Sequence, residues 1–187
     1  MLFAPRGMLD GSTPAAAALG ALDTHARDAL WAALARAVGA RRLGVQGEVE
    51  ESLHRKSTAR LVWPEAGASG WTVVRENGVL YGLDVTRSMF ASGNGSEKRR
   101  VGRFDCRGQV VVDLYAGIGY FTLPYLVHAG AAHVHACEWD DDALSALRKN
   151  LIDNGVADRC TVHAGDNASA STAAAIRSVA HLSLIHI

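Results

Sequence analysis

Asp113, Gly117, Gly119 and Glu138 have the types and spacing of a site that holds a nucleoside cofactor. Val110, Val111 and Val112 form an apolar run that ends in the acid Asp113. Gly117 and Gly119 bracket a single residue, and a helical pattern starts at Tyr120. This order describes a buried strand opening into a tight turn beneath a helix N-terminus, where a ligand touches backbone N–H groups directly. A second acid, Glu138, closes the next apolar run about 25 residues later, where a carboxylate in such a fold bonds both ribose hydroxyls.

The turn chemistry narrows the cofactor. Asp113 is placed to accept from an ammonium, directly or through water, while the turn from Tyr115 to Gly119 offers N–H groups to a carboxylate. A dinucleotide turn wants G-x-G-x-x-G, and Phe121-Thr122 supplies no third glycine. S-adenosylmethionine therefore fits better than NAD, against the plainer alternative of a purely structural strand-to-helix turn. Glu138 read plainly is a solvated strand-end carboxylate. Trp139 packs on an adenine or takes a core or rim position. Asp166 or Asn167, after the third strand, pairs with an adenine amino group or makes an ordinary Asx turn.

Two other groupings carry chemistry. His133, His135 and Cys137 alternate along one strand face, but helices cover strand faces in this architecture. Buried or hydrogen-bonded side chains are expected there, and no metal. Cys137 has no basic neighbour in sequence to lower its pKa. Ser92, Gly93 and Asn94 lead into Glu97, Lys98 and Arg100; one helical turn separates Glu97 from Arg100, so both face one cleft or simply a solvated helix side.

These residues need a frame. Residues 1–22 mix Gly, Pro, Ser and Ala and are expected to stay mobile. Helical spacing follows over Asp23–Ala40, with Ala29, Leu30, Ala33, Leu34, Ala37 and Val38 on its apolar face. An extended segment over Ala59–Trp63 comes next. Trp71–Arg75 and Val79–Thr86 flank Glu76-Asn77-Gly78, the turn chemistry of a tight hairpin. A short helix is expected over Glu97–Phe104. Strands at Val110–Tyr115, His133–Glu138 and Arg159–His163 then alternate with helices at Tyr120–His128 and Asp141–Asp153. That alternation predicts an α/β fold, a Rossmann-like parallel sheet preceded by a small α+β module. The expected division is 1–22, 23–90 and 91–187. Past Ala164 the pattern weakens, so the sheet is expected to be incomplete at its C-terminal side, with one apolar edge unpaired.

Composition excludes other classes. The 19 basic and 19 acidic residues cancel, so the chain lacks the global positive field of many nucleic-acid binders. A local basic cluster remains at Lys98, Arg99, Arg100, Arg103 and Arg107. Cys106, Cys137 and Cys160 are too few and too irregular for a disulfide framework. No apolar run reaches bilayer length, and no signal peptide is evident. A cytoplasmic protein without membrane association is expected.

With these pieces assembled, the chain resembles the tRNA wybutosine-synthesising aminocarboxypropyltransferases, relatives of the tRNA guanine-N1-methyltransferases. The resemblance is carried by the segment from Tyr81 to Arg100, which includes Asp84-Val85-Thr86, Met89-Phe90, Gly93-Asn94 and Glu97-Lys98. It continues through Val112–Pro124, then His135–Trp139, then Asn154–Cys160 and Gly165-Asp166-Asn167. It implies an S-adenosyl-L-methionine cofactor, with the anticodon region of phenylalanine tRNA as partner. It also implies cofactor contacts from Lys98, Glu138, Asp166 and Asn167, and from position 91, where the family's expected serine is Ala91 with Ser92 behind it. Glu97 becomes the candidate for proton removal or acceptor positioning, and Arg100 for phosphate contact or catalysis. Methyl transfer to guanine and a non-catalytic fragment are the alternatives. The family's pattern runs on past Asn167, whereas residues 168–187 are Ala- and Ser-rich and end in His181–Ile187. A truncated chain is therefore expected.

Overall fold

The computed structural model describes residues 2–4, 13–45, 57–64, 67–169, 174 and 182–184. Two compact units are present: residues 1–72 with 84–89, and residues 73–83 with 90–187.

In the first unit, β1 (Leu2–Ala4) runs parallel to β2 (Leu43–Val45), and β3 (Arg60–Trp63) pairs antiparallel with β2. Where composition predicts a mobile segment, residues Pro14–Ala21 form helix α1. Local signals explain the correction. The Thr13 hydroxyl accepts from the Ala16 amide at 3.1 Å, Pro14 presets the first helical φ, and alanine has the highest helix propensity. Helix α2 (Thr24–Ala37) starts where the Asp23 carboxylate accepts from the Ala26 amide at 2.7 Å.

The buried side of α2 is not the expected one. Trp31 and Ala35 are buried with Leu43 and Val62, while Leu30, Leu34 and Val38 are 43%, 38% and 47% exposed. Burying the indole removes more apolar area than any aliphatic on this helix, so Trp31 sets the rotation. A cavity of about 150 Å³ lies here, lined by Arg27, Trp31, Arg60 and their neighbours. None of the predicted site residues lines it.

The strands β4 (Trp71–Glu76) and β5 (Val79–Asp84) form the expected hairpin. Its turn residues, Asn77 at φ +52° and Gly78 at φ +81°, both lie in the left-handed region that a primed two-residue turn requires. Residues 73–83 of this hairpin group with the second unit.

There the chain continues through α3 (Gly95–Val101), β6 (Val110–Asp113), α4 (Thr122–Val127), β7 (His133–Glu138), α5 (Asp141–Asp153), β8 (Cys160–Ala164) and β9 (Leu182–Leu184). The four strands form one sheet in the order β8-β7-β6-β9, all parallel. The apolar edge of β6, expected to be unpaired, takes up β9 through backbone pairing of Val110–Val112 with Leu182–Leu184. Three residues within an Ala/Ser-rich tail are too short a run for a periodicity signal.

This order has a functional consequence. From β6 the chain steps outward to β7 and β8, and β9 then lies on the other side of β6. Strand order therefore reverses beside β6, and open α/β sheets bind ligands at the carboxyl ends of strands flanking such a reversal. Val111, Val134 and Ala136 of the sheet are buried with Leu123 and Leu126 of α4 and Leu144, Leu147 and Leu151 of α5. No described helix is long and apolar enough to cross a membrane.

Candidate functional site

Three loops meet at the carboxyl ends of β6, β7 and β8. The Ala116 amide donates to the Cys137 carbonyl at 3.0 Å, and the Gly165 amide donates to the Glu138 carbonyl at 2.8 Å. The Asn167 side-chain amide donates to the Leu114 carbonyl at 2.7 Å. Between the first two loops, the Gly117 amide donates to Glu138 Oε2 at 2.7 Å. Glu138 Oε1 accepts from the Trp139 and Asp140 amides at 2.8 and 2.9 Å. The residues predicted to hold tail, ribose and base thus occupy one continuous set of loops.

The turn requires both glycines. Gly117 sits at φ +55°, and a Cβ there would lie 3.2 Å from the Tyr120 ring. At Gly119, φ +99°, a Cβ would meet Leu123 and Leu147 at 3.1 Å, so a side chain there would be strained by the backbone and would crowd both leucines.

Asp113 is buried, and both its oxygens are committed inside its own turn. Oδ2 accepts from the Thr122 hydroxyl at 2.7 Å and Oδ1 from the Tyr115 amide at 3.3 Å. Burial pushes its pKa up, opposed by those hydrogen bonds. The carboxyl braces the strand end against the first residue of α4.

Lys98 is 1% exposed, far from the solvated cation its sequence neighbours suggest. Its ammonium pairs with Glu76 Oε2 at 2.5 Å and lies 4.5 to 5.1 Å from the ring centroids of Phe90, Tyr81 and Tyr120. Tyr120 is shared between this cage and the Gly117 turn. Ala91 contributes its backbone, donating N–H to the Tyr120 hydroxyl at 3.2 Å. Burial pushes the Tyr120 phenol up to about 12. Burial, aided by the Glu76 charge, raises that of Tyr81 as well.

Glu97 and Arg100 face each other on α3, joined at 2.5 Å in an exposed ion pair, with the guanidinium 4.9 Å from the Phe104 centroid. The hydrogen bond from Arg100 lowers the Glu97 pKa, which makes that carboxylate a weaker base. At the strand ends, Tyr115 and Trp139 are 64% and 45% exposed. Asp166 is exposed and folds an Asx turn, its Oδ1 accepting from the Ala168 amide at 2.9 Å.

His135 Nδ1 lies 2.9 Å from His163 Nε2, and His133 Nε2 lies 2.9 Å from the Thr161 hydroxyl. Among the described residues no group of three or more His, Cys, Asp or Glu is arranged to hold a metal ion. Burial, with the nearby Asp113 charge, pushes the Cys137 thiol up to about 11, so it is not a nucleophile near neutral pH.

Sequence reasoning passed over Glu76, Tyr81, Phe90, Tyr120 and Asn150. Asn150 is fully buried. Its Oδ1 accepts from the Gly82 amide at 2.7 Å, and its Nδ2 donates to the carbonyls of Gly82 and Ile118 at 2.9 Å each. One helix side chain thereby ties the hairpin to the glycine turn. The available signal was a polar residue on the same helix face as Leu147 and Leu151.

The nucleoside end of S-adenosylmethionine fits these loops. A carboxylate offers about four acceptor positions, and three of those on Glu138 are filled by amides, leaving Oε2 open to a hydroxyl. The exposed rings and the Asp166 carboxylate stand in the flanking loops.

The profile of the TRM5/TYW2 methyltransferase domain matches residues 72–181. The tRNA wybutosine-synthesizing protein 2 homolog of Rattus norvegicus is 55% identical over 138 residues, which are 74% of this chain and 31% of the relative. The tRNA wybutosine-synthesizing protein 2/3/4 of Oryza sativa subsp. japonica is 53% identical over 141 residues, 75% of this chain and 13% of the relative. Among solved structures, P. horikoshii TYW2 in complex with MeSAdo is similar, with TM-score 0.62 and 30% identity over 75% of this chain and 48% of the other. M. jannaschii tRNA m1G37 methyltransferase shares the fold at 21% identity and TM-score 0.56, over 76% of this chain and 41% of the other. The chain spans about a third or less of the curated relatives it matches.

Proposed function

This chain belongs to the TRM5/TYW2 methyltransferase domain family, and from that premise we propose that it carries the cofactor-holding part of an aminocarboxypropyltransferase. The cofactor is S-adenosyl-L-methionine. The acceptor is the wybutosine precursor base beside the anticodon of phenylalanine tRNA, and the reaction takes place in the cytoplasm. The observation that carries the reading is the 2.7 Å bond from the Gly117 amide to Glu138, which brings together the two groups assigned to the cofactor's tail and ribose. The 55% identity to a tRNA wybutosine-synthesizing protein 2 homolog supports aminocarboxypropyl transfer over methyl transfer.

The bound sulfonium supplies three activated carbons, and orientation decides which one the base attacks. Glu138 holds the ribose hydroxyls, and in doing so releases the Gly117 amide to the carboxylate of the amino-acid tail. Trp139 or Tyr115 stacks on the adenine, and Asp166 or Asn167 accepts or donates at its polar edge. Lys98 meets the tail carboxylate with its ammonium. Asp113 keeps the turn in place from beneath through Thr122. Attack on the aminocarboxypropyl methylene breaks its bond to sulfur, joins that carbon to the base, and releases methylthioadenosine and the acceptor's proton. Glu97, weakened as a base by Arg100, serves with Arg100 to position the acceptor strand.

The test is incubation of the chain with S-adenosylmethionine and phenylalanine tRNA carrying the precursor base, followed by mass spectrometry. Methylthioadenosine with an aminocarboxypropyl mass gain supports the assignment. Adenosylhomocysteine with a methyl gain would transfer it to the methyltransferase reading. A folded chain that shows no calorimetric binding of S-adenosylmethionine would remove both.

A further inference from the structure

Lys98 is the one cation assigned to the cofactor here, and something must fix where its ammonium points. The residue in contact with it comes from the hairpin, not from the nucleotide fold. Glu76, at the end of β4, reaches the Lys98 ammonium at 2.5 Å while remaining 23% exposed itself. The rings of Tyr81, Phe90 and Tyr120 surround the same nitrogen. A lysine in an aromatic cage has rotamer freedom that rings alone do not remove, because cation–π attraction is weakly directional. A carboxylate bond supplies direction.

The approach of Glu76 depends on a gap. A Cβ on Gly95 would stand 2.4 Å from Glu76 Oε1, so the carboxylate occupies space that only glycine leaves. Gly95 has ordinary right-handed helical backbone, and nothing in its own conformation demands glycine.

We propose that Glu76 is a positioning residue for cofactor binding: through the space above Gly95 it holds the Lys98 ammonium toward the amino-acid tail. This rests on the reading that Lys98 meets that tail. Removing Glu76 frees the ammonium within the cage and selectively costs affinity for ligands that carry a carboxylate.

The experiment is calorimetric titration of the 187-residue chain with S-adenosylmethionine and with methylthioadenosine, which lacks the amino-acid tail. Glu76→Gln is expected to weaken S-adenosylmethionine about tenfold and methylthioadenosine less than about twofold. Glu76→Asp should recover part of the loss. Gly95→Ala should reproduce the selective loss by displacing the carboxylate. Glu76→Gln combined with Lys98→Met should bind no worse than Lys98→Met alone. Equal weakening of both ligands, or of neither, would overturn the proposal while leaving the cofactor assignment standing. Failure of the unaltered chain to bind either ligand would overturn the assignment and this proposal with it.

Discussion

The Gly117 amide and the Glu138 carboxylate are bonded to each other at 2.7 Å, so the two groups assigned to opposite ends of the cofactor satisfy one another in the free chain. On the proposed reading, binding exchanges this contact for two new ones. Glu138→Gln keeps the shape but removes the charge, and charge-assisted bonds contribute about 1.5–3 kcal/mol. S-adenosylmethionine affinity should fall about tenfold or more by calorimetry. Unchanged affinity would exclude Glu138 from the ribose.

Asp113 gives a pH signature. Burial raises its folded pKa above the ordinary carboxylate value, so folding favours the protonated form. Its contribution is fully present below the unfolded pKa and is lost as pH rises through the folded one. Asp113→Asn has no such dependence. The melting temperature of the variant relative to the parent should climb from about pH 4 and level off above the raised pKa. A difference that is flat with pH would contradict the burial.

Asn150→Ala should destabilise the chain by about 3 kcal/mol, since it orphans buried backbone groups on two elements. Hydrogen exchange should accelerate at the Gly82 amide, which loses its acceptor. Protection unchanged at Gly82 would show the hairpin is held by other means.

Arg99, Arg100 and Arg103 are exposed on or just after α3. Replacing all three with alanine should leave the melting temperature nearly unchanged, because exposed pairs contribute little. Binding to tRNA should weaken, and the slope of log affinity against log salt should fall by about one to two. An unaltered slope would place the RNA elsewhere.

Much of the frame was legible because its signals are local. Asn77-Gly78 specifies a hairpin turn, and β7 and α5 fall on the residues their periodicity predicts. Asp140 and Gly155 bound α5, with the Asp140 carboxylate accepting from the Ala143 amide at 2.9 Å and Gly155 at φ +67°. What stayed hidden depends on partners distant in sequence. Lys98 looks solvated until Glu76 and three rings close on it, and Asn150 looks like a surface amide until Gly82 arrives 68 residues away. The exposed side of α2 was misjudged because Leu30 and Leu34 share the helical spacing, while a single indole decided the packing.

The amide of Asn150 also defines what can be cut away. Asn154, one turn on, grips Leu80 through both amide groups at 3.0 and 2.8 Å, so helix α5 clamps the hairpin edge at alternate residues. The hairpin is therefore a structural part of the nucleotide fold that happens to be encoded ahead of it. A polypeptide excised from residue 91 onward would strip two amides of their partners along one helix and expose the face they seal. An autonomous piece of this fold has to carry hairpin residues 73–83 with it.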